Sequence, residues 1–109
     1  MRTAVVNKAF LYFQMAIKIK PDYADAYNNL GAALFTERKI EEAISHYKMA
    51  IKIKPDFALA HYNLGFALFQ KGEIKEAIDH YRETLKLKPD LVAAQKNLET
   101  ALLWSEELE

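Results

Sequence analysis

The chain has 109 residues, its 15 lysines and arginines balanced by 15 aspartates and glutamates, with 51% hydrophobic residues and no cysteine. That length makes one domain, and the absence of cysteine excludes a disulfide framework and a thiolate metal site. The balanced charge gives no pull toward nucleic acid or an anionic membrane, and no apolar run approaches the ~20 residues of a membrane-spanning helix.

Near the amino terminus, Ala4-Val5-Val6 is broken by Asn7 and Lys8 too early for a signal peptide. A cytoplasmic, intracellular protein with no nucleic-acid or membrane partner is the expectation. Val6, Ala9, Phe10, Phe13, Ala16 and Ile17 recur at helical spacing and predict a first helix over residues 2–19. Lys20-Pro21-Asp22 stops it, because the residue before a proline is pushed out of the α region. Pro21 suits the first turn of a following helix and Asp22 complements its positive end. Further helices are predicted from about Asp22 to Thr36, Lys39 to Ile53, Asp56 to Gln70, Glu73 to Leu87 and Asp90 to Glu106. Gly72 is placed to close the fourth in a left-handed conformation. Arg38 holds the matching place in the earlier turn, where a side chain costs on the order of 1 kcal/mol if the backbone is left-handed. All connections are short, so successive helices are expected to pack antiparallel.

The chain repeats itself. Tyr27-x2-Leu30-Gly31-x2-Leu34, Ala43-x3-Tyr47 and Pro55 return 34 positions later as His61-x2-Leu64-Gly65-x2-Leu68, Ala77-x3-Tyr81 and Pro89. The same distance upstream, only the second half exists, as Ala9-x3-Phe13 and Pro21. Residues 15–22 and 49–56 are identical. A fixed period of this length marks a stacked repeat array, and the pattern resembles the tetratricopeptide (TPR) repeat. The resemblance implies an all-α, right-handed TPR-type helical solenoid of six antiparallel helices. With the first helix of each repeat called A and the second B, the order is B-A-B-A-B-A. Residues 1–23 form the second half of a repeat, 24–57 and 58–91 two full repeats, and 92–109 the first helix of another, acting as a cap.

Gly31 and Gly65 sit mid-helix, where glycine costs roughly 1 kcal/mol relative to alanine. Ala43 and Ala77 lie where the partner helix crosses, so a close approach of backbones offsets that cost. Tyr27, Leu30, Leu34, Ile40, Ile44, Tyr47 and Ile51 fill the first crossing, and their counterparts the second. A lone hairpin cannot bury both of its apolar faces, so stability comes from stacking.

No phosphate loop, Ser/His/Asp arrangement or poised carboxylate pair is evident. His46 and His80 are repeat equivalents on the order of 10 Å apart, too far to share a zinc ion bound at about 2.0–2.1 Å. His61 occupies the place of Tyr27 and reads as a packing residue. No enzyme activity, cofactor or metal site is expected. Lys18, Lys20, Lys52, Lys54, Lys86 and Lys88 pair up at the end of every B helix, where cations stabilise the helix terminus by about 0.3–1 kcal/mol each.

Asn29, Asn63 and Asn97 recur at the 34-residue spacing, each just before a leucine of an A helix. TPR arrays line their concave groove with A helices. In the TPR superhelix of O-linked N-acetylglucosamine transferase, asparagines at this repeat position form a ladder along the bound peptide backbone. The resemblance therefore implies peptide contact at Asn29, Asn63 and Asn97; an amide offers both a donor and an acceptor to a peptide backbone. The equal alternative is that asparagine is simply common at this position. The same mapping puts Phe35, Tyr62, Phe66, Phe69, Lys96 and Trp104 in the groove, beside Gln70 and Thr100. TPR domains that hold acidic chaperone tails use a cationic clamp, for which only Lys96 and Asn63 are present here, so that role is not expected.

The ends differ from the middle. Val5 replaces Lys39 and Glu73, Leu11 replaces Ser45 and Asp79, and Tyr12 replaces His46 and His80. With Phe10 and Phe13 these residues form a candidate oligomer interface, since exposed apolar patches usually mark one. A weak homo-oligomer, a two-fold dimer through residues 1–19, is expected. Glu99 stands where Gly31 and Gly65 stand and opposes head-to-tail stacking. The favoured reading is a protein-interaction module that binds an extended peptide or partner helix. The alternative is a self-assembly scaffold, or an engineered array, associating through its first helix.

Overall fold

The computed structural model describes the backbone of residues 2–108 and the side chains of residues 8–106. Those residues form six α-helices and no strand: α1 (Arg2–Ile19), α2 (Ala24–Thr36), α3 (Ile40–Ile53), α4 (Ala58–Lys71), α5 (Ile74–Leu87) and α6 (Val92–Leu108). They fall into two compact units, residues 1–55 and 56–109. No helix among the described residues is long and apolar enough to cross a membrane.

In the first unit, α2 packs against both α1 and α3. Ala26, Leu30 and Leu34 of α2 and Ala43, Ile44, Tyr47 and Ala50 of α3 form its buried core. Fully burying each of the larger aliphatic side chains contributes roughly 1.5–3 kcal/mol. Small residues on both helices allow the close approach. A Cβ on Gly31 would stand 3.2 Å from the Ala43 carbonyl oxygen and only 2.6 Å from the Cε1 carbon of Tyr47. The alanine expected at the crossing is there, but the glycine is required chiefly by the tyrosine ring.

The second unit also joins a third helix to a hairpin, but on the other side: α5 packs against α4 and α6, and α4 also meets α6. Leu64, Ala67 and Leu68 of α4 and Ala77, Ile78 and Tyr81 of α5 are buried, joined by Ala94 and Ala101 of α6. Thr84 is fully buried where α3 has Ala50; its hydroxyl donates to the His80 carbonyl at 2.8 Å, so its polar group is satisfied within its own helix. No buried side-chain polar atom among the described residues lacks a partner.

The A helices begin two residues later than the sequence predicts. Tyr23 N–H donates to the Lys20 carbonyl at 3.0 Å, and Leu91 N–H to that of Lys88 at 3.2 Å. Each Lys-Pro-Asp is thus part of a tight turn with proline at its second position, which pre-sets φ for the turn. Pro21 and Asp22 precede the helix rather than open it, and Tyr23, at φ −82° and ψ 91°, is the last extended residue. The carboxyl ends of α2 and α4 share another device. Lys39 N–H reaches the Leu34 carbonyl and Glu73 N–H that of Leu68, both at 2.9 Å, while Arg38 and Gly72 donate to Phe35 and Phe69. This is the Schellman arrangement, which needs a left-handed residue. Gly72 supplies it at φ 92°, and Arg38 adopts it at φ 62° despite its side chain.

Candidate functional site

Within the second unit, α4 and α6 bring together much of what the sequence singles out. Phe66, Phe69 and Gln70 from α4, Asn97 and Thr100 from α6 and Tyr81 from α5 line one pocket. Trp104 meets one of these residues, Phe69, edge-on with ring centroids 5.9 Å apart and planes at 82°, a favoured aromatic geometry. The Asn97 amide donates to the Tyr62 hydroxyl at 3.1 Å, and the Tyr62 ring lies 6.1 Å from that of Tyr81. The Thr100 hydroxyl is turned to its own helix, donating to the Lys96 carbonyl at 3.1 Å.

Helix geometry explains the placement. Phe66, Phe69 and Gln70 are three and four residues apart, so they share one side of α4. Asn97, Thr100 and Trp104 follow one another at intervals of three and four, so they share one side of α6. The lining is aromatic with a few neutral polar groups, the general character of ligand sites. It also reaches deeper than the sequence indicates, because Tyr81 counts there only as core. Burial pushes the Tyr81 phenol up to about 12; the Tyr62 phenol adds to this, and the Asn97 amide works the other way. At neutral pH the pocket floor is therefore uncharged.

The other expected site residues lie apart from this cluster. Lys96 is exposed and outside the lining. Asn63 is half-buried on α4. In the first unit, Phe35 is half-buried in the last turn of α2, and exposed Asn29 lines a different pocket with Tyr12, Phe13, Ala16, Tyr23 and Ala26. Of the candidate oligomer residues, Leu11 and Tyr12 are exposed while Phe10 and Phe13 are half-buried. The side chain of Val5 lies outside the described residues.

One contact was not foreseen. Buried His61 of α4 stacks on His80 of α5, with ring centroids 5.3 Å apart, and their Nδ1 atoms are 3.1 Å apart. One nitrogen carries the shared hydrogen and the other accepts it. No group of three potential metal-ligating residues occurs among the described residues. The signal for this pair lay within one hairpin: Tyr27 and His46 of the first unit have the same sequence separation, with rings 6.1 Å apart.

Comparison with known proteins agrees with this architecture. A TPR repeat family profile matches residues 7–37 and 38–72, and a tetratricopeptide repeat profile matches residues 58–91. No curated protein sequence matches the chain. A crystal structure of MamA superposes with a TM-score of 0.88 at 27% identity, covering 97% of this chain and 62% of that one. A Thermobaculum terrenum O-GlcNAc transferase mutant gives 0.84 at 28% identity, over 89% of this chain and 19% of that one. The first TPR of Spaghetti (RPAP3), solved with the HSP90 peptide SRMEEVD, gives 0.89 over 98% of this chain and 82% of that one; at 21% identity it shares the fold. The chain thus spans under two thirds of MamA and about a fifth of the transferase. With its 34-residue period, glycine–tyrosine helix pairs and matches over most of its length, the chain belongs to the tetratricopeptide repeat family, an all-α helical solenoid fold of protein–protein interaction modules.

Proposed function

We propose that the chain is a peptide-recognition module whose working surface in the second unit is formed by α4 and α6. A small apolar side chain of the ligand enters the pocket between Phe66, Phe69 and Tyr81, and Trp104 flanks it. The amides of Asn63 and Asn97 meet the ligand's backbone. The single observation that carries this reading is Asn97 on an aromatic pocket, its amide already donating to Tyr62. A donor that can exchange one neutral acceptor for another binds a peptide carbonyl at little net cost.

The chemistry of the lining narrows the ligand. It contains no charged side chain, so recognition does not depend on an acidic tail and is only weakly sensitive to salt. A library of neutral and acidic peptides, screened on immobilised protein and followed by calorimetry, tests this. Neutral peptides with an aliphatic or aromatic anchor are expected to bind. Asn63→Ala and Asn97→Ala are each expected to weaken binding by roughly 1–3 kcal/mol, the cost of leaving a peptide group unsatisfied. Selection of acidic peptides alone, or equal affinity for both variants and the parent, overturns the reading.

A further inference from the structure

Helix α1 carries a second surface that the pocket does not use. Leu11, Tyr12, Met15 and Ile19 are 59, 74, 60 and 82% exposed, and their spacing puts them in one stripe along the helix. The exposure of Leu11 does not depend on what precedes α1. Its repeat equivalents, Ser45 and Asp79, are also exposed, although α3 and α5 each have an A helix packed on them. An apolar residue has therefore been placed where the array presents its surface to solvent.

Charge identifies the occupant. Residues 2–20 include Arg2, Lys8, Lys18 and Lys20 and no acid, so a two-fold pairing of α1 helices brings only cations together. The chain carries the complement at its other end. Leu103 and Trp104 of α6 are 63 and 51% exposed, and residues 99–109 hold Glu99, Glu106, Glu107 and Glu109 with no base. We propose that α1 of one copy takes the acidic, apolar end of α6 of a second copy, head to tail.

The seating is not that of one repeat upon the next. Glu99 occupies the place of Gly31 and Gly65, where even a Cβ would stand 2.6 or 2.9 Å from a tyrosine ring. The docking edge is therefore the outward one, at Leu103 and Glu106, against Leu11, Tyr12 and the flanking Lys8 and Lys18. Patches of so few side chains fall at the small end of interface size, near the ~1,000 Å² that a specific interface needs. Assembly is accordingly weak and concentration-dependent, and the head-to-tail geometry gives open chains or rings rather than a closed pair.

Two double variants test this by sedimentation velocity over a wide concentration range. Leu11→Ser with Tyr12→His restores the residues of the internal copies; Leu103→Ser with Glu106→Lys removes the acidic, apolar edge. Circular dichroism checks that both stay helical. The parent chain is expected to self-associate, about tenfold more weakly at 1 M salt, where the Debye length is roughly 3 Å. Each variant alone is expected to be monomeric, and an equimolar mixture to form a heterodimer, because each retains one working surface. The proposal is overturned if the parent stays monomeric throughout, including the case in which α1 binds anionic vesicles instead. It is equally overturned if the Leu103/Glu106 variant still self-associates, as a two-fold pairing of α1 requires, or if the mixture yields no heterodimer.

Discussion

Tyr81 lies so close against Gly65 that a Cβ on the glycine would stand 2.9 Å from the ring's Cε1 carbon and 3.0 Å from Cδ1. The ring is buried against the glycine, so a Cβ there must displace it from its packed position. Gly65→Ala gains about 1 kcal/mol of helix propensity, but displacing a packed ring costs typically 1–3 kcal/mol, and a net loss is expected. Gly65→Leu is expected to lose more than about 2 kcal/mol. The gap at Gly31 is tighter, 2.6 Å against 2.9 Å, so Gly31→Ala is expected to cost more than Gly65→Ala. Urea midpoints for the three variants check the order.

Much of this was legible because it is encoded locally and then repeated. Helix number and order, the mid-helix glycines and the left-handed Gly72 all follow from short motifs. What failed has a common cause. The sequence Lys20-Pro21-Asp22 reads as a helix start, because proline suits both a first helical turn and the second position of a tight turn. Only the Tyr23–Lys20 hydrogen bond distinguishes them. The Asn97–Tyr62 bond joins two A helices 35 residues apart, and repeat spacing says which positions are equivalent, not which side chains meet. Repeat spacing sets His61 and His80 each against residues of other repeats, while their contact lies inside a single hairpin. Tyr81 serves both core and pocket, a double role that periodicity cannot separate.

Arg38 supplies a test of backbone conformation alone. It holds φ 62° where Gly72, its counterpart, holds 92°. A left-handed residue with a Cβ costs roughly 1–2 kcal/mol, partly offset by glycine's larger unfolded-state entropy of about 0.5–1 kcal/mol. Arg38→Gly is expected to raise stability by about 0.5–1 kcal/mol and to raise Tm. Gly72→Arg is expected to lower both, even though a Cβ there meets nothing within 4 Å. Thermal unfolding of the two variants should move in opposite directions.

The buried tyrosines set an alkaline limit. Burial pushes the phenols of Tyr47 and Tyr81 from 10.0 up to about 12. Between those values the unfolded chain releases both protons while the folded chain keeps them. Stability is therefore complete below pH 10 and falls as pH rises from 10 towards 12. The slope is at most about 1.4 kcal/mol per pH unit for each tyrosine. Denaturant midpoints measured at pH 9, 10.5 and 11.5 are expected to fall at an increasing rate. Tyr47→Phe with Tyr81→Phe should flatten that decline, whatever it does to stability at neutral pH.

The hydroxyl of Tyr62 competes with the proposed ligand for the Asn97 amide. Both side chains are half-buried, and their bond measures 3.1 Å. Tyr62→Phe keeps the ring that lies against Tyr81 and removes only the acceptor. Stability is expected to fall by about 0.5–1.5 kcal/mol, the net worth of one such bond. Peptide affinity is expected to move the other way, because Asn97 no longer exchanges a protein acceptor for a peptide carbonyl. A gain of about 0.5–1.5 kcal/mol corresponds to a two- to tenfold tighter Kd. In the background of Asn97→Ala the same substitution should leave affinity unchanged, since no amide remains to be released. Calorimetry on the parent, the two single variants and the double variant closes the cycle. Weaker binding by Tyr62→Phe would mean that the bond holds the pocket in shape, and that Asn97 acts by positioning Tyr62 rather than by gripping the peptide.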